Sequence, residues 1–504
     1  MNLPWIERLG DWNPQLLREL KGHLKNRNLL IAVSISLLTQ FLLLTYLSYL
    51  YEQTHYSFWE SLFPTLNWIL PLILLLAGVY MLITDLGKEE RRGTLNFIRL
   101  SPQSSQSILI GKMLGVPIIV YLGVALAVPL HLWTAISAGV PFIFILSFYL
   151  LIGAGCCFFY TAALLYAFLG GFQAWAGTFL SFVFAWPLLQ ILNFAMDLVR
   201  SKDFDLTSIN IYSLQWFHLP LGSVVLAEGF IMLHFGLWTY WIWQALNRRF
   251  SNANATLISK KQSYWITGCF EVLLIGFCLQ NNVLNPARTS DYGFLSLLTL
   301  VFEIINLLWF VGLIAALSPH RQSLQTWARY RRERVSKRRG WKSDLVQDLI
   351  WSEKSPAVVA VAINLGIKTA IWGTWILSWP ANSGKMQAIL GLILSLNWIL
   401  IYAVIVQSLL FMKTDKRSLW ASMTVTALIA FPPVFFGLLS MPFYKNPGVW
   451  LLTAFPLMAV KEASVITVFM VILGQWSAMT LLSLQLTRQM RLAGVSASKA
   501  LFAK

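Results

Sequence analysis

The chain has 504 residues, 57% hydrophobic, 14% aromatic and only 12% charged, with a mean hydropathy of +0.64 and a net charge of +17. A soluble protein carries about 25% charged residues, so this composition excludes an ordinary water-soluble enzyme and makes lipid the solvent. The positive charge then reads as sorting across a bilayer, with anionic membrane lipid as the partner and no nucleic acid.

Apolar runs near 20 residues are candidate membrane spans. Before the first of them, residues 1–27 read as an amphipathic interfacial helix. Asn13 can cap it, Pro14 suits its first position, Leu16, Leu17, Leu20 and Leu24 line one face, and Arg18, Lys21 and Lys25 point elsewhere. Basic residues beside an apolar stripe favour a place in the headgroup plane. The first apolar run is too long for a cleavable signal core.

Spans are expected near 28–50, 64–86, 109–135, 141–169, 172–196 and 223–246. Between the second and third lies KEERRGTLNFIRLSPQSS, Lys88 to Ser105, short, charged and mixed in sign. Glu89 and Glu90 suit a helix N-terminus, Pro102 disfavours helix at Ser101, and Leu95, Ile98 and Phe97 form an apolar patch. The stretch 198–222 is polar and aromatic (Trp216, Phe217, His218, Pro220) and suits an interfacial or re-entrant segment.

An additional pair of spans is expected within 251–318, near 264–282 and 294–317. A basic loop comes next at 319–356, containing WARYRRERVSKRRGWK. A second bundle covers 357–486, with spans near 357–379, 387–412, 419–440 and 464–486 and a shorter apolar run at 448–460 that is ambiguous. The tail, 487–504, is short and basic.

Lysine and arginine cluster on alternate connections: Lys88, Arg91, Arg92 and Arg99; Arg248, Arg249, Lys260 and Lys261; the 321–342 run; and Lys413, Lys416 and Arg417. The positive-inside rule places these in the cytoplasm. The expectation is therefore an all-α, polytopic integral membrane protein with about 12 transmembrane helices and cytoplasmic N- and C-termini.

The motifs of chemistry are sparse. No G-x-x-x-x-G-K-[ST], H-E-x-x-H, C-x-x-C or G-x-S-x-G occurs, so no enzyme activity and no catalytic residue is expected. Asp203 and Asp205 form a D-x-D, which in a membrane glycosyltransferase could hold a divalent cation. Two carboxylates specify little, and these read as a solvated loop. Cys156, Cys157, Cys269 and Cys278 lie in apolar runs without a metal-ligand pattern and read as buried thiols; no metal or cofactor is expected. Ionisable groups within spans carry more information, because each costs about 2.5–3.5 kcal/mol at the bilayer centre. They are His131, Glu228, His234, Glu271, Glu303, Lys368, Lys461 and Glu462. Glu271, Glu303 and Lys368 sit deepest and are candidate intramembrane polar sites, either packing partners between helices or a proton relay.

Lys88–Ser105, taken with the head of the next span, resembles the ABC-2 family of ATP-binding-cassette permeases. The residues are Glu90, Arg91, Arg92, Gly93, Thr94 and Leu95, then Ser101, Pro102 and Ser104, then Gly111 and Lys112 at the start of that span. The resemblance extends over about residues 13–250. It implies that 1–27 holds an elbow helix, that 28–250 is a six-helix transmembrane domain, and that 88–105 is a coupling helix docked on a separate ATPase. The expected contact residues are Glu89, Glu90, Arg91, Arg92, Gly93, Thr94, Leu95, Ile98, Ser101 and Pro102. ATP would be bound by that partner subunit. The chain departs from the family at Asn96, where glutamate is frequent, and in continuing past six spans. The second bundle is either a degenerate second half, giving an internal pseudo-dimer, or an accessory to a homodimer. The implied function is export through a bacterial inner membrane; the alternative is an ion-coupled secondary transporter using Glu271, Glu303 and Lys368.

Overall fold

A computed structural model describes residues 9–54, 58–200, 215–217, 219–221, 224–281, 294–335, 341–379 and 384–494. The D-x-D of Asp203 and Asp205, most of the 198–222 stretch and the last residues of the tail lie outside these. The described chain is helical apart from two two-residue strands, Gln215–Trp216 and Leu219–Pro220. Among the described residues, eleven helices are long and apolar enough to cross a membrane, and Ala174–Gln190 adds a shorter apolar helix within the expected span 172–196. Many of these helices expose leucine, isoleucine and phenylalanine along their outer faces, as Leu30, Ile31, Ile35, Leu38, Phe41 and Leu42 do on the first. Surfaces of that kind are stable only against hydrocarbon. This is a multi-pass membrane protein.

The chain divides into two compact units, Met1–Leu214 with Pro220–Ala253, and Gln215–Leu219 with Asn254–Lys504. In the first, helix α1 (Pro14–His23) begins at Asn13, whose side chain accepts from Leu16 N, with Pro14 at the first turn. Helices α2 (Asn26–Thr54) and α3 (Phe58–Leu72) come next. Pro71 interrupts the regular bonding near the end of α3, and a π turn at Ile73–Ala77 joins it to α4 (Gly78–Arg91). The hydroxyl of Tyr160 donates to Leu74 O at 2.6 Å within that turn.

After the short α5 (Thr94–Arg99), the expected span 109–135 is broken into three helices: α6 (Ser105–Gly115), α7 (Ile118–Ala125) and α8 (Val128–Ser137). The interruptions fall at Pro117 and just before Pro129, where an amide hydrogen is missing. Helix α9 (Phe142–Phe168) packs on α4 and on α11 (Val224–Ser251), while α10 (Ala174–Arg200) packs on α4. Leu82, Ile83, Leu86, Phe159, Leu164 and Leu246 belong to the resulting core.

In the second unit, α12 (Lys260–Asn281) packs on α16 (Val358–Leu377), and α13 (Phe294–Leu317) packs on both α16 and α17 (Lys385–Leu410). The pair expected as an addition at 251–318 is therefore integral to the second bundle. The stretch read as a basic loop, 319–356, contains two helices, α14 (Arg321–Val335) and α15 (Trp341–Trp351). Lys260 holds the C-terminal end of α15, donating to Leu349 O at 2.6 Å, Ser355 Oγ at 2.6 Å and Pro356 O at 3.2 Å. A cation there satisfies carbonyls that the helix end leaves open.

After α18 (Arg417–Leu438), the ambiguous run at 448–460 does not span. It forms two four-residue helices, α19 (Pro447–Trp450) and α20 (Leu457–Val460), packed against α17 and against α21 (Val465–Ala493) through Leu394, Leu451, Ala459, Val460, Val468 and Ile472. Interhelical polar contacts reinforce the bundle: Asn364 Nδ2 donates to Ser263 Oγ at 3.0 Å and Asn397 Nδ2 to Gln475 Oε1 at 2.9 Å.

Candidate functional site

The charged turn between α4 and α6 differs from its expected form in one respect. Glu89 and Glu90 lie in the last turn of α4, not at a helix N-terminus. The chain reverses at Gly93, whose φ of 69° is a conformation glycine adopts without strain. The short helix then starts at Thr94 and ends at Arg99, before Pro102, and Ser104 caps α6 by accepting from Ser107 N.

The helix macrodipole does not favour Glu89 at the end of α4; an ion-pair cluster holds it there instead. Lys112 on α6 is fully buried, with Nζ 2.7 Å from Asp85 Oδ2, 2.8 Å from Glu89 Oε2 and 3.4 Å from Glu19 Oε1. Arg18 pairs with Glu19 and Glu89. Lys112 lies before the span, which starts at Ile118. Burial alone would lower its pKa, but Asp85, Glu19 and Glu89 outweigh that and raise it above the ordinary lysine value.

The cluster seats α1 on α6. Asn13 Nδ2 donates to Ser107 O at 2.8 Å, and a Cβ at Gly111 would lie 2.8 Å from both Asn13 Oδ1 and Leu16 N. The elbow-like helix buries Gln15, Leu16, Glu19 and Leu20 against protein and leaves Arg18 and Lys21 exposed on its other side. Glu19, His23 and Asp85 are close enough to share a metal ion, but the Lys112 ammonium already engages two of the three carboxylate and imidazole ligands.

The apolar residues of the turn face two ways. Leu95 and Ile98 are 3% and 5% exposed and belong to the unit's own core beside Leu86 and Ile108. Phe97 and Leu100 are 80% and 85% exposed. Glu90, Arg91, Arg92, Gly93, Thr94, Asn96 and Pro102 stand outward with them to varying degrees, and Ser101 is half-buried. Arg99 lies over the rings of Phe168 and Phe250 at 5.4 Å and 5.9 Å, which fixes the end of the short helix. Of the expected contact residues, Glu89, Leu95 and Ile98 therefore hold the turn in place, Ser101 is half-buried, and Glu90, Arg91, Arg92, Gly93, Thr94 and Pro102 stand on its outer face. The outward apolar residues are Phe97 and Leu100. Glu19, Asp85 and Lys112 received no such role from the sequence; the available signals were an acid ending an apolar run and a lysine heading the next one.

The intramembrane candidates divide as well. His131 is structural: it donates Nε2–H to Asn67 Oδ1 and accepts at Nδ1 from the Tyr149 hydroxyl, both at 2.7 Å, with Phe63 and Phe148 stacked on it. His234 lies against its own helix at Phe230 O, Glu228 is buried on α11, and Lys461 and Glu462 are exposed just beyond α20. Glu271, Glu303 and Lys368 come from α12, α13 and α16 of the second unit, and all three are buried.

Fold and sites together define a helical membrane protein with a braced, charged turn between two of its spans. No protein-family model matches the chain, and comparisons with curated proteins and with solved structures find no match either.

Proposed function

We propose that the chain is the permease subunit of an ABC-2 type exporter in a bacterial inner membrane, driven by a separate ATPase. One observation carries this reading: the turn after α4 presents Phe97 and Leu100 outward while Glu89, Leu95, Ile98 and Arg99 brace it from within. An exposed aromatic and an exposed leucine, rimmed by Arg91, Arg92 and Glu90, suit a protein groove. A lipid-binding surface would be more uniformly basic. The bracing matters for mechanism. A push on α5 reaches α4 through Leu95 and Ile98, and reaches α6 and α1 through Glu89 and Lys112, so closure of an ATPase would move these helices as one body.

The two units, each rich in apolar helices, support the internal pseudo-dimer over a homodimer. In the second unit the connection between its second and third apolar helices is α14 and α15, the same place in the order that α5 holds in the first. The two coupling surfaces would then be unlike, one mixed in charge and one strongly basic. Transport measured in proteoliposomes tests the assignment. Activity should require the ATPase subunit and ATP; substrate movement by the purified chain alone, driven by an ion gradient, would replace this reading with secondary transport.

A further inference from the structure

The cluster of Glu271, Glu303 and Lys368 has a charge imbalance that its own hydrogen bonds do not resolve. Each residue is more than nine-tenths buried. Glu271 Oε2 accepts from Trp372 Nε1 at 2.6 Å, and Glu303 Oε1 accepts from Leu457 N at 3.2 Å. The other oxygen of each, Glu271 Oε1 and Glu303 Oε2, is buried and has no hydrogen-bond partner. Lys368 Nζ donates to Asn306 Oδ1 at 2.8 Å and lies 5.4 Å from the centre of the Phe310 ring, a setting that suits an ammonium. Both carboxylates act on it electrostatically, yet among the described residues neither forms an ion pair with it.

Position reinforces the point. Counting at about 1.5 Å per residue from the basic ends of their helices, Glu271 and Lys368 lie about 15 Å deep and Glu303 about 20 Å. That is the middle of a hydrocarbon layer roughly 30 Å thick. Leu457, which binds Glu303, opens α20 and packs on Gly391 of α17. The non-spanning segment 447–460 therefore reaches inward to the polar cluster. Irregular backbone at that depth is tolerated where it is buried in protein or lines a path.

With one ammonium and two carboxylates ionised, the site carries a net negative charge in a medium where an unbalanced charge costs several kcal/mol. We infer that Glu271, Glu303 and Lys368 form an intramembrane proton-binding site, in which one proton taken from water converts one of the two carboxylates to a carboxylic acid. The new O–H is a donor, and the acid needs one fewer counter-charge, so binding neutralises the cluster as a whole. The other ionisable groups on the surrounding helices do not supply this balance. Cys278 on α12 and Tyr402 on α17 are neutral at ordinary pH. Lys260 and Tyr264 at the start of α12 are engaged with α15, Asp348 faces Arg331, and Lys461 and Glu462 are exposed. The inference rests on the membrane-spanning architecture and not on coupling to an ATPase.

The test is infrared difference spectroscopy of the full chain in nanodiscs, with carbon-13-labelled glutamate, across the pH range in which it stays folded. Glu228 on α11 is also buried with an unpartnered oxygen, so every chain carries E228Q as background, and the expected result is one protonated-carboxyl band per chain that titrates and is insensitive to sodium. E271Q and E303Q each remove it, because the single remaining carboxylate balances Lys368. K368M gives two protonated carboxyls, since no cation remains to hold either as an anion. Size-exclusion profiles confirm that each variant is folded, and the isosteric E303Q and E271Q carry the test where K368M does not fold. An otherwise unaltered E228Q chain without such a band, or a band displaced by sodium at constant pH, would overturn the proposal; the latter points to a metal-cation site.

Discussion

Replacing Phe97 and Leu100 together with aspartate separates docking from folding at the charged turn. Both side chains are at least 80% exposed, so the double change removes almost no buried area. Surface substitutions of this kind shift stability by about 0.5 kcal/mol or less. The thermal midpoint of the chain in nanodiscs should not move. If the pair is seated in an ATPase groove, loss of a hot-spot aromatic costs about 2 kcal/mol or more, which is roughly a 30-fold weaker complex. The companion variant L95D/I98D behaves in the opposite manner. These residues are only 3% and 5% exposed, in a core that includes Leu86, Ile108 and Phe250. Truncating such a leucine or isoleucine costs about 2–5 kcal/mol before any charge is buried, so the midpoint should fall sharply. Capture of ATP-hydrolysing activity on the immobilised chain, read beside thermal unfolding, distinguishes the two. Retention of wild-type ATPase by F97D/L100D, with the protein intact, refutes the assignment of this turn as the docking surface.

Four further outcomes are expected from the same geometry. K112M should destabilise the first unit by about 3–5 kcal/mol, as for a broken buried ion pair, because Asp85 loses its lysine partner and Glu19 and Glu89 keep only Arg18, His23 and Gln15 beside them; a denaturation midpoint equal to wild type would show the cluster to be unimportant. G111V should release α1 from α6, since even a Cβ lies within 2.8 Å of the Leu16 amide. A spin label at Lys21 would report that release as faster motion, and an unchanged spectrum would count against the seating described. The same label should show α1 docked throughout the neutral range and loosened only in strong alkali: the Lys112 pKa is raised, so its contribution is complete below the unfolded value near 10.4 and is lost as pH climbs through the folded one. Loosening near neutrality would contradict this sign. Finally, cysteines introduced at Phe97 and at Met412 should react with an impermeant maleimide from one side of the membrane and a cysteine at Met441 from the other. Reaction of all three from one side would overturn the positive-inside orientation.

The relation between sequence and structure differs from element to element. The membrane class and the places of the apolar helices were legible, because burying about 20 apolar residues in lipid is a local demand that each segment meets alone. The end of α5 before Pro102 was legible for the same reason, as was the cap at Asn13. Other features were decided by contacts between distant segments. The start of the short helix was misplaced because Glu89 answers to Lys112 and Arg18, from α6 and α1, and not to its own helix end. Leu95 and Phe97 are equally apolar in the sequence, and only the packing of α5 on α4 and α6 sends one inward and the other outward. The 251–318 pair looked like an appendage until its partners on α16 and α17 were known, and 319–356 looked like a loop until Lys260 was seen holding α15.

The sequence by itself determined that this chain lives in lipid, since composition and run length need no partner to act. It also named Glu271, Glu303 and Lys368, because an ionisable residue in an apolar run stands out wherever it points. The tertiary structure decided what surrounds those charges. It joined Lys112 to three carboxylates that brace a turn, and it left Glu271 and Glu303 each with an unpartnered oxygen. The physical reason is that a charge in a low-dielectric interior is governed by its few nearest neighbours in space, and the linear order of residues does not record them.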